Sequence, residues 1–232
     1  MWRWQEKMIR VAVYTDAGTS KDLTAVLKAL AKFPELAVET LKVKDIQAGR
    51  LSEFALVVFP GGSGGGEGRA LGEEGRERVR QFVREGKGYI GICAGAYLAS
   101  CDYPWSLNVL NAKVLDKQHW ARGNGTVEIR LSDEGKALLK RPEQPQVSIS
   151  YRQGPLLAPA GKPGLPPYKE LARYVGEVAL KGAPKGVMPG TTAIAAAEFG
   201  KGRVVCFSPH PEKTPGLEDF LRHAVTWIHE SR

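Results

Sequence analysis

The sequence predicts an α/β fold: a mainly parallel, doubly wound sheet with an antiparallel elaboration in the middle third. Short apolar runs alternate with amphipathic stretches of about ten to fifteen residues over the first hundred positions, the pattern of strands joined by right-handed crossover helices. The middle third instead carries short strands separated by turn-rich segments. Three apolar runs, Ala55 to Phe59, Gly88 to Ile92 and Arg203 to Phe207, each end in a junction with chemically distinctive residues. In open parallel sheets, ligands bind beyond the carboxyl ends of the strands.

In order along the chain, Ile9 to Tyr14 alternates as a first strand and runs into a glycine loop. Ser20 is placed to cap an amphipathic helix from Lys21 to Phe33. Leu36 to Val43 reads as the second strand and Ala55 to Phe59 as the third. The glycine-rich stretch Ser63 to Gly68 fits neither phosphate-binding pattern, Gly-x-x-x-x-Gly-Lys-Ser/Thr or Gly-x-Gly-x-x-Gly, and reads as a flexible rim. A helix from Glu74 to Glu85 and the strand Gly88 to Ile92 follow. Later strands are expected at Ala112 to Leu115, Gly125 to Leu131, Gln146 to Tyr151 and Leu171 to Leu180. The segment Pro155 to Pro167 is rich in Pro and Gly yet holds Leu156, Leu157 and Leu165, so it is expected to fold over something as a lid or rim. Val204 to Phe207 is the final strand and Leu217 to His229 the closing amphipathic helix.

At 232 residues, one core can bury about 70 to 75% of the unfolded surface. The net charge of +8 would suit an acidic partner, but the basic residues are scattered. Glu73-Glu74-Gly75-Arg76-Glu77-Arg78 interleaves both signs as a solvated helix face does, so nucleic acid is not an expected partner. Cys93, Cys101 and Cys206 form an odd set without metal-ligand spacing, and His119, His223 and His229 have no partner pattern either. No metal or cofactor is expected. Met1 to Lys7 lacks the apolar centre of a secretion signal, and no apolar run of about 20 residues could span a bilayer. The expected location is cytoplasmic.

Gly91-Ile92-Cys93-Ala94-Gly95 joins a strand to the helix that begins around Ala96. Small residues beside Cys93 permit the sharp turn that presents a nucleophile at the top of a sheet. A helix N-terminus there would favour the thiolate. The alternative is a cysteine packed as a small hydrophobe. In Phe207-Ser208-Pro209-His210-Pro211-Glu212, His210 fits the base that such a thiol needs, and Glu212 fits the group that orients the base. The flanking prolines stiffen the pair. Phe59-Pro60-Gly61-Gly62 exposes backbone N–H groups, and those of Gly62 and Ala94 are the candidate donors for an oxyanion.

Pro-Gly-Gly, Gly-x-Cys-x-Gly and His-Pro-Glu at three strand ends, in that order, resemble the class I glutamine amidotransferase-like superfamily. Pro60-Gly61-Gly62, Arg69-Ala70-Leu71 and Gly91 to Ser100 are most similar to the amino-terminal domain of biotin-protein ligases and its free-standing bacterial relatives. Val13-Tyr14, Gly18-Thr19-Ser20 and Gly200-Lys201-Gly202-Arg203 extend the likeness to both ends. The resemblance implies a flavodoxin-like sheet, a Cys93-His210-Glu212 triad and a single class I glutamine amidotransferase-like domain over residues 1–232. Because the chain ends where that domain ends, biotin ligase activity is not expected; a separate synthetase is a conceivable partner.

Glutaminases of the superfamily carry Gln, Glu or His four residues after the cysteine to help hold glutamine, whereas Tyr97 stands here. Tyr97 is either part of the substrate site or an aromatic on the packed face of its helix. Tyr151-Arg152-Gln153-Gly154-Pro155 is similar to a stretch in the ligase-associated relatives, and Arg152 or Gln153 could bind a polar substrate; a plain strand end is the alternative. Small cysteine peptidases of the superfamily place a histidine directly after the cysteine, where Ala94 stands. The leading expectation is therefore a cysteine-nucleophile hydrolase or amidotransferase-like enzyme cleaving a carbon–nitrogen amide bond in a small molecule or peptide. Its rival is a noncatalytic binding or regulatory domain that keeps the elbow as architecture.

Overall fold

The computed structural model describes residues 8–21 and 23–230; the expectation drawn from Met1 to Lys7 lies outside them. In chain order the elements are β1 (Ile9–Tyr14), α1 (Leu23–Leu30), β2 (Leu36–Leu41), α2 (Val43–Gln47), β3 (Leu56–Phe59), α3 (Gly64–Arg84), β4 (Gly88–Ile92) and α4 (Ala94–Ala99). Then follow β5 (Ala112–Leu115), β6 (Asn124–Leu131), α5 (Asp133–Leu138), β7 (Gln146–Arg152), β8 (Leu156–Pro159), β9 (Lys169–Tyr174), β10 (Thr192–Phe199), β11 (Gly202–Phe207) and α6 (Asp219–His229).

The sheet runs β2-β1-β3-β4-β11-β10-β9-β6-β7, with β8 pairing β10 and β5. The first five of these strands are mutually parallel, and the remainder pair antiparallel. Successive side chains of a strand point to opposite faces, and β1 shows it. Val11 and Val13 pack with α1 and α6 through Leu30, Phe220 and Leu221, while Ala12 and Tyr14 pack with α2, α3 and α4 through Ile46, Leu71 and Leu98. Helices cover both faces, so the expected doubly wound, flavodoxin-like arrangement is present.

Several boundaries differ from expectation, each for a local reason. Ser63 to Gly68 is not a flexible rim. Ser63 caps α3, its Oγ accepting from Gly66 N at 3.1 Å, and the helix is kinked at Gly72, where φ is +64°. A Cβ at Gly64 would stand 2.8 Å from Tyr97 Cβ, so glycine lets this first turn lie directly on α4. Leu171 to Leu180 is a strand only as far as Tyr174; Val175 and Leu180 are exposed in the loop beyond. The Pro-rich segment is not a lid. Its first part is β8, with Leu157 buried between β5 and β10. Its remainder is tied to Asn111, whose side chain donates to Leu165 O and accepts from Lys162 N. The antiparallel elaboration also extends past the middle third to include β10.

Candidate active site

β3, β4 and β11 are neighbours in the sheet, with Phe59 beside Gly91 and Phe207 beside Ile92. That register brings Pro60-Gly61-Gly62, Cys93 and the loop from Ser208 to Glu212 to one edge. Cys93 N donates to Phe207 O at 2.8 Å, and the residue has φ +51° and ψ −97° immediately before α4. A positive φ is uncommon for a residue bearing a Cβ, and here it turns the thiol out of the strand. The residue is 6% exposed, yet it lines two cavities.

His210 and Glu212 are buried, with Nδ1 and Oε1 2.6 Å apart. Glu212 belongs to a single tight turn, Pro211–Lys213, so the pair meets around that turn and not along an extended stretch. The backbone of His210 is fixed separately. Its N–H donates to Ser150 O at 2.8 Å and its carbonyl accepts from Thr214 Oγ1 at 2.8 Å. A Cβ built on Gly61 would lie 2.9 Å from His210 Cε1 and 3.8 Å from Cys93 Cβ, so the imidazole and the cysteine flank the same glycine. Burial alone would lower the His210 pKa, but the adjacent Cys93 sulfur and the Glu212 carboxylate outweigh it and raise it to about 9.

The thiol itself is otherwise engaged. Cys93 Sγ donates to Arg152 O at 3.3 Å, while His210 Nε2 is buried without a hydrogen bond of good geometry. The carbonyl belongs to the end of β7, which is folded over the site by three contacts: Ser150 bridges to His210, Tyr97 Oη donates to Gln153 O at 3.2 Å, and Tyr151 Oη donates to Gly154 O at 2.8 Å. Gln153 has φ +61°.

Gly62 and Ala94 both border Cys93. Gly62 has φ +152°, and a Cβ there would stand 2.1 Å from Gly18 O, so the turn accepts only glycine. Among the described residues, neither N–H donates to an acceptor within the protein, as free oxyanion donors would require.

Gly62, Cys93, Arg152 and Gln153 line both cavities. The smaller, of about 210 Å³, adds Ser20, Asn124, His210, Glu212 and Lys213. The larger, of about 330 Å³, adds Arg69, Tyr97, Tyr103, Trp105, Lys117 and Trp120. Tyr97 both packs against the core beneath α3 and α4 and borders the larger cavity, so its position is compatible with either reading.

Sequence reasoning missed Glu67 in α3, which is fully buried with neither carboxylate oxygen hydrogen-bonded among the described residues. Burial, then the proximity of Cys93, pushes its pKa well above the ordinary carboxylate range. The aromatic residues Tyr103 and Trp105, in the loop before β5, and Trp120, in the loop after it, were also missed. His119 pairs with Asp116 at 2.6 Å and His223 with Asp219 at 3.6 Å, both away from Cys93. Among the described residues, no group of three or more His, Cys, Asp or Glu side chains is placed to hold a metal ion.

A parallel sheet with a cysteine elbow at β4 and a His-Glu loop after β11 defines a class I glutamine amidotransferase-like fold. Within that class the chain belongs to the family described as "Biotin-protein ligase, N terminal", which matches residues 9–127. A glutamine amidotransferase crystal structure aligns at 20% identity over 92% of this chain and 98% of its own, with a TM-score of 0.60. A cytoplasmic protein from Salmonella typhimurium aligns at 11% identity over 95% and 99%, with a TM-score of 0.59. A β-galactosidase from Bacillus circulans sp. alkalophilus contains a similar unit, at 15% identity over 94% of this chain and 31% of the enzyme, with a TM-score of 0.58. At these identities the structural likeness concerns the fold alone. No curated protein matches the sequence.

Proposed function

We propose that the protein is a cysteine-nucleophile hydrolase or amidotransferase-like enzyme that cleaves a carbon–nitrogen amide bond. The observation that carries this reading is the buried His210–Glu212 pair beside a strained cysteine elbow, at the mouths of two cavities. The proton shared by Cys93 Sγ and His210 Nε2 rests on the imidazole, as the raised His210 pKa favours, while the sulfur bonds to the amide carbon. The N–H groups of Gly62 and Ala94 hold the oxyanion, and Glu212 keeps Nδ1 protonated and the ring oriented. His210 then passes the proton to the leaving nitrogen as the C–N bond breaks. Water, or an amine acceptor in a transferase, next attacks the thioester, and its proton returns through His210 to the departing sulfur. Tyr97, Arg152 and Gln153 contact substrate. The protein acts in the cytoplasm on a small molecule or short peptide.

The Cys93–Arg152 contact gives a second reading some support: a thiol bonded to a backbone carbonyl instead of to the neighbouring base suits a binding or regulatory domain. Trapping decides between them. Incubation with a library of small amides, followed by intact-protein mass spectrometry, is expected to show an acyl adduct on Cys93 and amine release that Cys93→Ala abolishes. Absence of any adduct, with equal amine release from Cys93→Ala, would favour the binding domain.

A further inference from the structure

The two cavities that meet at Cys93 differ in chemistry. The larger has an aromatic wall in which Tyr103 and Trp105 are stacked with centroids 4.4 Å apart and Tyr97 lies 6.3 Å from Tyr103. Trp120 stands at its rim, 55% exposed. Arg69, Lys117 and Arg152 contribute three cationic side chains, and none of the described lining residues is acidic. Asp102, outside the lining, pairs with Lys117 at 2.9 Å. Lys117 Nζ also sits 4.8 Å above the Tyr103 ring.

The smaller cavity holds His210, which does not line the larger one. This asymmetry orients the substrate. The leaving nitrogen must lie within reach of the group that protonates it, so the amine half belongs in the smaller, polar cavity. The other substituent of the carbonyl then points the opposite way, past Gly62, into the aromatic cavity.

We propose that the cavity walled by Tyr97, Tyr103, Trp105 and Trp120 is the acyl-specificity pocket, and that it takes a planar aromatic acyl group carrying an anionic substituent. The inference rests on the amide-cleaving reading above and adds to it the substrate class and its direction of binding. Stacked and edge-on aromatic contacts favour a flat ring over an aliphatic chain of similar area. The net cationic wall favours a carboxylate or phosphate on that ring and disfavours a cation. A volume of about 330 Å³ is at the small end for ligand cavities, fitting a substituted ring more readily than a polypeptide segment.

The test uses N-acetylcysteamine thioesters with one leaving group and four acyl groups: 4-carboxybenzoyl, benzoyl, 4-(trimethylammonio)benzoyl and butanoyl. Acylation of Cys93 is followed by intact mass, and each rate is divided by that with free cysteine to remove intrinsic reactivity. In the transfer, the bond between Cys93 Sγ and the acyl carbon forms, the bond between the acyl carbon and the cysteamine sulfur breaks, and the Cys93 thiol proton leaves on the cysteamine thiol. The 4-carboxybenzoyl group is expected to exceed both the butanoyl and the cationic ring by at least tenfold. The double variant Arg69→Gln with Lys117→Gln, at two exposed positions, should remove most of its advantage over the cationic ring. A butanoyl rate equal to or above the aromatic rates, or equal rates for the two charged rings, overturns the proposal.

A second arm separates this inference from the catalytic reading: shielding of Cys93 against iodoacetamide by free 4-carboxybenzoate, compared with butanoate. Selective shielding without any acylation would keep the pocket assignment and remove the enzyme. Acylation with neither ring preference nor shielding would do the reverse, and failure of both arms would remove both.

Discussion

Cys93 Sγ donates its hydrogen bond to Arg152 O at 3.3 Å, across 59 positions of sequence. The closed strand end therefore competes with His210 for the thiol. A substrate entering between Gly62 and Gln153 has to displace that contact before Sγ turns to Nε2. The exchange is inexpensive, since a neutral hydrogen bond is worth about 1 kcal/mol net, and catalytic contacts commonly tighten only when substrate is bound.

Selective alkylation tests the site without knowledge of the substrate. Burial raises the pKa of both Cys101 and Cys206, and Cys206 is fully enclosed beneath α4. Near pH 7 iodoacetamide is expected to label Cys93 first, as peptide mass mapping would show. His210→Ala should slow that labelling by ~10-fold or more, because the group that takes the thiol proton is gone. Glu212→Gln should slow it less. Equal labelling of the three cysteines, or indifference to the His210 change, would leave the thiol unactivated.

The charge on His210 has a consequence for stability. Its folded pKa, about 9, lies above the ordinary value of 6.5, so the folded state binds the proton more tightly than the unfolded chain. The stabilisation is full below pH 6.5 and is lost as pH rises through about 9. The melting temperature of the native protein is expected to fall across this window, and His210→Ala should flatten that part of the curve. A curve level from pH 6.5 to 9.5 in the Glu67→Gln variant, which lacks the Glu67 contribution, would contradict the assignment.

The sequence made the site legible where chemistry is local. Gly88 to Ile92 and Ala112 to Leu115 are strands with the bounds read from pattern, and Cys93, His210 and Glu212 converge because the apolar strands preceding them are sheet neighbours. The rest depends on distant packing. Thr192 to Phe199 is alanine-rich, a composition that favours helix, and it is a strand because β11 and β9 pair with it on either side. The burial of Glu67 and the return of Arg152 to Cys93 arise from tertiary approach, which neither periodicity nor turn chemistry encodes. The aromatic cavity joins α3, α4 and the loops on both sides of β5, so no one segment announces it.

Glu67 is expected to act as a pH-dependent weak point. Its carboxyl is neutral in the fold because burial and Cys93 disfavour the charge. The unfolded chain releases that proton near pH 4.5, so the penalty is absent below this value and grows as pH rises toward the raised folded pKa. Glu67→Gln keeps the shape and cannot ionise, so it should raise the melting temperature more at pH 8 than at pH 4. A gain independent of pH would mean that the carboxyl is not held neutral. A loss at every pH would point to an indispensable hydrogen bond from the acid.

Tyr97 bears on the choice of amide. Its hydroxyl is committed to Gln153 O at 3.2 Å and its ring faces the aromatic cavity, at the position where glutaminases of the superfamily carry a polar side chain for glutamine. Stacked rings in that cavity wall favour a flat aromatic shape over a carboxamide-bearing amino acid. Free glutamine is therefore expected to be hydrolysed well below the common enzyme range of about 1 to 1,000 per second, as ammonia release coupled to NADH oxidation would measure. Tyr97→Phe removes only the hydroxyl. It should cost about 1 kcal/mol of stability and loosen the strand end over Cys93, raising the alkylation rate without creating glutaminase activity. Ammonia release from the native protein within the ordinary range would identify a conventional glutaminase and return Tyr97 to a purely structural part.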